Sequence, residues 1–137
     1  MILLDTVAVF RIMERRQLSD VAREALRIAE VGAVPLAVSA ITGWESCLLE
    51  KRGKTGIAIG GDGGAWFEKA VRVIGLTVIP IDARIAIQSR RLPDPFHEDP
   101  GDRFIIATAR ILGIPIITSD RDILDYAALG HVRAIAC

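Results

Sequence analysis

The chain has 137 residues, of which 51% are apolar, and its 17 basic and 17 acidic side chains cancel. This length corresponds to one domain, and we predict a single domain over residues 1–137. A net charge of zero excludes proteins that bind nucleic acids through a strongly basic overall field, so contact with RNA or DNA would require a local patch. The mean hydropathy of +0.38 is high for a monomer, and we therefore expect a homodimer.

Localisation and redox state follow from what the sequence lacks. No uncharged apolar run approaches the length of about 18 residues that a membrane helix needs, and no basic segment precedes an apolar stretch at the start. We expect a cytoplasmic protein with no membrane partner. Cys47 and Cys137 have neither the spacing of metal ligands nor that of a disulfide framework, which predicts two reduced thiols.

The start of the chain alternates short apolar runs of strand length with longer runs of helical spacing. A strand is predicted at 2–4 and a helix at 6–15. Ser19 and Asp20 can cap a second helix that ends at Gly32. Alternation of this kind is typical of βαβ units and predicts an α/β fold with a parallel sheet.

The middle of the chain continues the same alternation. A strand is predicted at 36–38, followed by a helix that Ser39 caps and that stops near Gly53. The stretch 53–64 is rich in glycine, and we expect a mobile loop there. A further helix is predicted at 65–73.

The last part of the chain contains two more predicted βα units. In order, the pattern predicts a strand at 77–81, a helix at 82–90, an irregular loop at 91–100, a helix at 100–112, a strand at 114–118, a short helix at 121–126 and a strand at 132–136. Asp99 and Pro100 define the start of the longer helix, because aspartate is a frequent N-cap and proline fits the first helical position.

Four acidic residues, far apart in sequence, fall where this fold can bring their carboxylates together. Asp5 and Asp120 each follow a predicted strand, and in parallel sheets reactive groups collect beyond the carboxyl ends of the strands. Asp102 lies in the first turn of its helix, and Glu45 points back toward the start of its own helix. Because a helix in a right-handed βα unit begins where its strand ends, all four are expected at one edge of the sheet.

Four neighbouring carboxylates repel one another, and at least one would take up a proton without compensation. A Mg²⁺ or Mn²⁺ ion removes that difficulty, since hard ions prefer oxygen ligands. Such an ion can activate a water for attack on a phosphodiester and stabilise the leaving oxygen, which favours a nuclease. Each acid taken singly also has a structural explanation, as a helix cap, a partner of the helix dipole or a solvated charge.

The acids lie in four segments that occur in order, Met1-Ile2-Leu3-Leu4-Asp5-Thr6, Val38-Ser39-Ala40-Ile41-Thr42-Gly43-Trp44-Glu45, Asp99-Pro100-Gly101-Asp102-Arg103 and Thr118-Ser119-Asp120. With these segments the chain resembles the PIN-domain ribonucleases, and in particular the VapC-type toxins of bacterial toxin–antitoxin pairs. The resemblance covers nearly the whole chain. It departs from many relatives at Val7, where a polar residue is common.

The resemblance implies a three-layer α/β/α sandwich with a central, mainly parallel sheet. It also implies an endoribonuclease that depends on Mg²⁺ or Mn²⁺, forms a homodimer and is inhibited by a cognate antitoxin. By position in the motifs, Asp5 and Asp102 would be the metal ligands, and Glu45 and Asp120 would complete the catalytic set. The remaining candidates are supporting residues, Thr118 and Ser119 for hydrogen bonds around the acids and Arg103 for pairing with a carboxylate or contacting a phosphate.

Other functions fit the sequence less well. A haloacid-dehalogenase-like phosphatase would need a second aspartate where Val7 stands, and a response-regulator receiver would need further acids beside Asp5 and a late lysine. His97 and His131 lack the context of a nucleophilic site and are expected to be ordinary surface or loop residues. A noncatalytic module that binds RNA or an antitoxin remains open as the alternative.

Overall fold

The structure is a computed structural model that describes residues 1–52 and 60–137. Within these residues the strands are β1 (Ile2–Leu4), β2 (Leu36–Ser39), β3 (Leu76–Ile79), β4 (Ile116–Thr118) and β5 (Ala134–Ala136). The helices are α1 (Thr6–Met13), α2 (Asp20–Val31), α3 (Ala40–Arg52), α4 (Gly63–Ile74), α5 (Ala83–Arg90), α6 (Pro100–Leu112) and α7 (Arg121–Ala128). None of the helices in the described ranges is long and apolar enough to cross a membrane.

The five described strands form one parallel sheet with the order β3-β2-β1-β4-β5. β1 lies in the centre, where Leu4 pairs with Val38 of β2 and Ile117 of β4. Because every strand runs the same way, all five carboxyl ends meet at one edge. The predicted parallel sheet is confirmed.

Three strands are shorter than the sequence predicted, and the fifth starts at Ala134 rather than Val132. The fourth starts at Ile116 rather than Ile114, because the backbone N–H of Ile114 is used to close the end of α6 by donating to Ala109. The third ends at Ile79, and the next residue, Pro80, has no N–H with which to extend the ladder. Residues 53–59 of the loop predicted at 53–64 lie outside the described residues.

Helices cover both faces of the sheet. Successive strand residues point to opposite faces, so Leu3 and Leu4 of β1 enter different clusters of buried side chains. Leu3 packs with residues of α5, α6 and α7, whereas Leu4 packs with residues of α1, α2 and α4. The arrangement is the expected three-layer α/β/α sandwich.

The route of α6 to the carboxyl edge differs from the prediction. Each helix that begins near an acid was expected to follow a strand directly, and this is true of α1, α3 and α7. α6 instead follows α5 and the irregular loop 91–99. The position of Asp102 therefore depends on that loop, and not on a βα connection.

Glycines allow α3 and α4 to pack closely beside the turn that carries Glu45. A Cβ atom on Gly43 would lie 3.1 Å from the ring of Phe67. This close approach explains why glycine is present in α3, although it destabilises a helix by about 1 kcal/mol relative to alanine. A Cβ on Gly63 would lie 2.2 Å from the carbonyl oxygen of Ser46, closer than any normal contact. The start of α4 is therefore in direct contact with the backbone of α3.

We predict that Gly63→Ala lowers the free energy of unfolding by about 1–3 kcal/mol, because the added methyl must push the two helices apart. Urea denaturation followed by circular dichroism measures this. Gly64→Ala is the matched control, since its nearest neighbour would be 3.5 Å from the new Cβ, an ordinary contact. Equal stability of the two variants would contradict the proposed close packing.

Candidate functional site

A cavity of about 660 Å³ lies beyond the carboxyl ends of the central strands. All four predicted acids line it, Asp5, Glu45, Asp102 and Asp120, and so does Asp99. None of the described residues that line the cavity is basic. The structure therefore brings together carboxylates from four separate parts of the chain without a basic side chain among their described neighbours in the wall.

Asp5 is the most deeply buried of these acids, at 3% exposure. One oxygen, Oδ1, caps α1 by accepting from the backbone N–H of Ala8 at 2.6 Å, and the other accepts from the hydroxyl of Thr118. Burial raises the pKa of Asp5 to about 6, even though both hydrogen bonds act to lower it. The nearby carboxylate of Asp120 raises the pKa further.

Glu45 is held by Thr6 at the start of α1, and Thr6 in turn contacts Thr42 of α3. Thr6 donates to Oε1 of Glu45 at 3.0 Å, and the hydroxyls of Thr6 and Thr42 are 2.9 Å apart. A Cβ on Gly101 would lie 3.0 Å from the same Oε1 atom, so the glycine lets the carboxylate approach the start of α6. Burial raises the pKa of Glu45, and the charges of Asp99 and Asp5 raise it further.

Asp102 faces the largest concentration of negative charge in the cavity. Burial raises its pKa to about 7, and the carboxylates of Asp120, Asp99, Glu45 and Asp5 all add to this shift. Its side chain is 23% exposed, so solvent reaches it only partly. Asp102 is thus protonated far more readily than an ordinary aspartate.

Thr118 connects two acids at the end of β4. Its hydroxyl donates to Asp5 and accepts from the backbone N–H of Asp120 at 2.9 Å. Oδ1 of Asp120 in turn caps α7 by accepting from Asp122 and Ile123. The neighbouring Ser119 lies near the Cys137 thiol and acts to lower its pKa, against the larger effect of burial, which raises it.

Arg103 does not lie where it could contact a phosphate in the cavity. It is 5% exposed and is absent from the cavity wall. Its guanidinium donates to the backbone carbonyls of Ser89 (2.8 Å), Phe96 (3.2 Å) and His97 (2.9 Å). Glu98 approaches it at 3.9 Å. Arg103 therefore anchors the loop before α6.

His97 contacts the acids although the sequence suggested an ordinary loop residue. Its Nε2 atom lies 3.2 Å from Oδ2 of Asp102 and 3.3 Å from Oδ2 of Asp122. Asp122 was not predicted either. The sequence offered only one indication, the short separation of His97 from Asp102 across the start of α6.

The chemistry of the donor set fits a hard divalent cation. The acidic side chains of the cavity offer only oxygen ligands, and burial together with neighbouring carboxylates raises the pKa of Asp5 and of Asp102. In the described part of the chain, no three acidic, histidine or cysteine side chains are already grouped as ligands of one ion. Mg²⁺ does not need such a cage, because it is commonly held by one or two carboxylates together with water.

The model of the PIN domain family matches residues 2–129 of the chain. Comparison with curated protein sequences gave no match. Among solved structures, the chain is similar to VapBC2 from Rickettsia felis bound to a promoter DNA fragment, with 15% identity, coverage of 100% of this chain and 99% of that one, and a TM-score of 0.66.

Two further structures show the same fold. A toxin–antitoxin complex from Klebsiella pneumoniae is 25% identical over 89% of each chain, with a TM-score of 0.58. FitAB bound to the IR36 DNA fragment is 22% identical over 99% of this chain and 94% of that one, with a TM-score of 0.63. The match extends over nearly the full length in each case.

We predict that Asp102→Asn raises the melting temperature of the metal-free protein at about pH 8 by on the order of 5 °C. With a folded pKa of about 7 against a usual 3.8, the Asp102 carboxyl binds its proton more tightly in the folded state. Its contribution to stability is therefore complete below the usual pKa and is lost as the pH rises through the folded one. Asparagine carries no charge, so the variant does not lose this stability as the pH rises.

Scanning calorimetry in a chelator, from about pH 4 to pH 8, measures the effect, and the difference between variant and parent should shrink toward the acidic end. Asp125→Asn is the control, because it removes an exposed carboxylate paired with Arg121 at 3.2 Å, and exposed ion pairs contribute little. Parallel pH profiles for Asp102→Asn and the parent would contradict the raised pKa.

Proposed function

This chain belongs to the PIN domain family, and from that membership we propose that it is a metal-dependent endoribonuclease, the toxin of a toxin–antitoxin pair. The observation that carries the proposal is the cavity in which Asp5, Glu45, Asp102 and Asp120 meet with no basic residue among the described lining. A phosphodiester is itself negatively charged, so such a cavity can accept it only together with a cation. The proposed cofactor is Mg²⁺ or Mn²⁺.

In this proposal Asp5 and Asp102 hold the cation. When bound, the ion supplies a Lewis acid that lowers the pKa of a water and stabilises charge on the leaving oxygen. Glu45 has one oxygen fixed by Thr6, and Asp120 has one oxygen fixed by the first amides of α7. The second oxygen of each can orient the attacking water, and the raised pKa of Glu45 makes it a stronger base for the proton.

We propose that RNA is held partly by the apolar wall of the same cavity. Trp44 and Val7 line it and are 57% and 43% exposed, with Leu48 beside them. Aromatic side chains in such positions stack with unpaired bases, a contact worth about 1–3 kcal/mol. The cavity thus offers an acidic side for the scissile phosphate with its cation and an apolar side for a base.

The structural neighbours support a protein partner. The Klebsiella pneumoniae neighbour is a toxin–antitoxin complex, and its chain aligns with this one over 89% of both lengths. We propose that this chain likewise binds a cognate antitoxin, in the cytoplasm.

A noncatalytic binding module is the alternative, and one observation favours it. The described residues include no ready-made group of three metal ligands. Titration calorimetry with Mn²⁺ separates the two functions, because the module would bind its partner without binding the ion or cutting RNA.

We predict that Asp5→Asn reduces Mn²⁺-dependent RNA cleavage by more than about 100-fold, since a metal ligand should matter at least as much as the groups that orient one. Cleavage of a labelled oligoribonucleotide by purified protein measures the loss. Asp125→Asn, at an exposed ion pair, is the matched control and should cut like the parent. Cleavage by Asp5→Asn at the parental rate would overturn the proposed function.

Tryptophan fluorescence shows whether the inactive variant still binds RNA. The sequence has two tryptophans, and Trp66 is buried, with its ring 4.4 Å from that of Phe10. Quenching on addition of RNA therefore reports on Trp44. Asp5→Asn should retain the quenching, whereas Trp44→Phe should lose it.

We also propose a homodimer, as the mean hydropathy suggested. Exposed apolar side chains lie on one side of α2, where Val21, Ile28 and Val31 are 67%, 55% and 78% exposed. Light scattering at tens of micromolar should give twice the mass of one chain. The mass of a single chain at that concentration would contradict the proposal.

A further inference from the structure

We infer that His97 is a positioning residue for Asp102, holding one oxygen of that carboxylate so that the other is presented to the cation. The inference rests on the proposed function, in which Asp102 is a metal ligand. It concerns a residue outside the set of four acids, on a loop for which the sequence predicted no function. Groups that orient ligating carboxylates in this way typically change metal affinity by about 10- to 100-fold.

The hydrogen bonds of the ring determine which nitrogen carries the proton. Nδ1 of His97 accepts from the backbone N–H of Asp99 at 3.1 Å, so in the neutral ring the proton is on Nε2. Nε2 is the atom that faces Oδ2 of Asp102 at 3.2 Å. The backbone of Asp99 therefore fixes the tautomer that can donate to Asp102.

The loop that carries His97 is anchored by the buried guanidinium of Arg103. Arg103 donates to the carbonyl oxygens of Phe96 and His97 on the loop and to that of Ser89 at the end of α5. A guanidinium at 5% exposure would be costly without these acceptors. Arg103 follows Asp102 directly, so the helix that carries the acid also fixes the loop that carries the histidine.

Aromatic packing restrains the ring as well. The centroid of Phe96 is 4.2 Å from that of His97 and 4.8 Å from that of Tyr126. The hydroxyl of Tyr126 donates to the carbonyl of Pro93 at 2.7 Å, in the same loop. The imidazole thus has little freedom to turn away from Asp102, and its donor is oriented before any cation arrives.

His97 also reaches α7. Oδ2 of Asp122 lies 3.3 Å from the same Nε2 atom, so one N–H faces two carboxylates. Asp122 is 65% exposed, whereas Asp102 is 23% exposed. The less solvated carboxylate gains more from the hydrogen bond, because water can replace the histidine more easily at Asp122 than at Asp102.

The test compares His97→Gln with His97→Leu. The two side chains are similar in size and both lack the ring, but the amide nitrogen of glutamine can take the place of Nε2 as a donor. Calorimetry with Mn²⁺ should show a dissociation constant about 10- to 100-fold weaker for His97→Leu and largely restored for His97→Gln. A purely structural role would give equal losses in both. Asp122→Asn should bind Mn²⁺ like the parent.

Nitrogen NMR of the metal-free parent provides a readout that does not involve the ion. We expect the ring of His97 to be the Nε2–H tautomer, and a proton on Nδ1 instead would overturn the inference. If the parent binds Mn²⁺ well, a His97→Leu variant that binds Mn²⁺ equally tightly would also overturn the inference. A parent that binds no Mn²⁺ would overturn the proposed metal site and this inference together, so the two failures are distinguishable. Thermal melting of each variant confirms that it is folded.

Discussion

The repulsion between carboxylates at the carboxyl edge of the sheet is the constraint on which the site depends. Asp5, Glu45 and Asp102 are largely removed from water, and burial together with the neighbouring charges raises the pKa of each. The fold offsets part of this repulsion with helix N-termini, where backbone N–H groups and the helix dipole favour negative charge. Asp5 accepts from the first turn of α1 and Asp120 from that of α7. The remainder is what a cation would neutralise.

Helix capping and membership of the site are therefore not competing explanations. An ionised carboxylate has about four acceptor positions, and a cap uses one or two of them. Oδ1 of Asp120 serves both amides of α7, which leaves Oδ2 for the cavity. The cap fixes the rotamer of the acid, so the free oxygen is held in place by the same hydrogen bonds that start the helix. For Asp5 and Asp120, the helix cap weighed in the sequence thus also orients the carboxylate in the cavity.

The sequence predicted the features that local patterns encode. Strands, helices and the positions of Asp5 and Asp120 at strand ends follow from apolar periodicity and capping residues, and the structure places them there. His97 could not be found in this way, because its contact with Asp102 depends on a loop held by Arg103 through backbone carbonyls. Gly101 is similar: its lack of a side chain matters only because Glu45 approaches from another helix. Non-local contacts of this kind leave no periodic trace in a sequence.

The apolar wall of the cavity makes the electrostatics of the acidic wall stronger. Trp44, Val7 and Leu48 add apolar surface to the lining of the cavity, and attraction between opposite charges increases as the surrounding medium becomes less polar. Burial of Asp102 raises its pKa, so protons would compete with the proposed cation for the same oxygens. Any ion that binds the folded chain alone also stabilises it, by an amount that grows with its concentration. If the proposed cation binds, the negative charge that destabilises the fold would also be what attracts the ion.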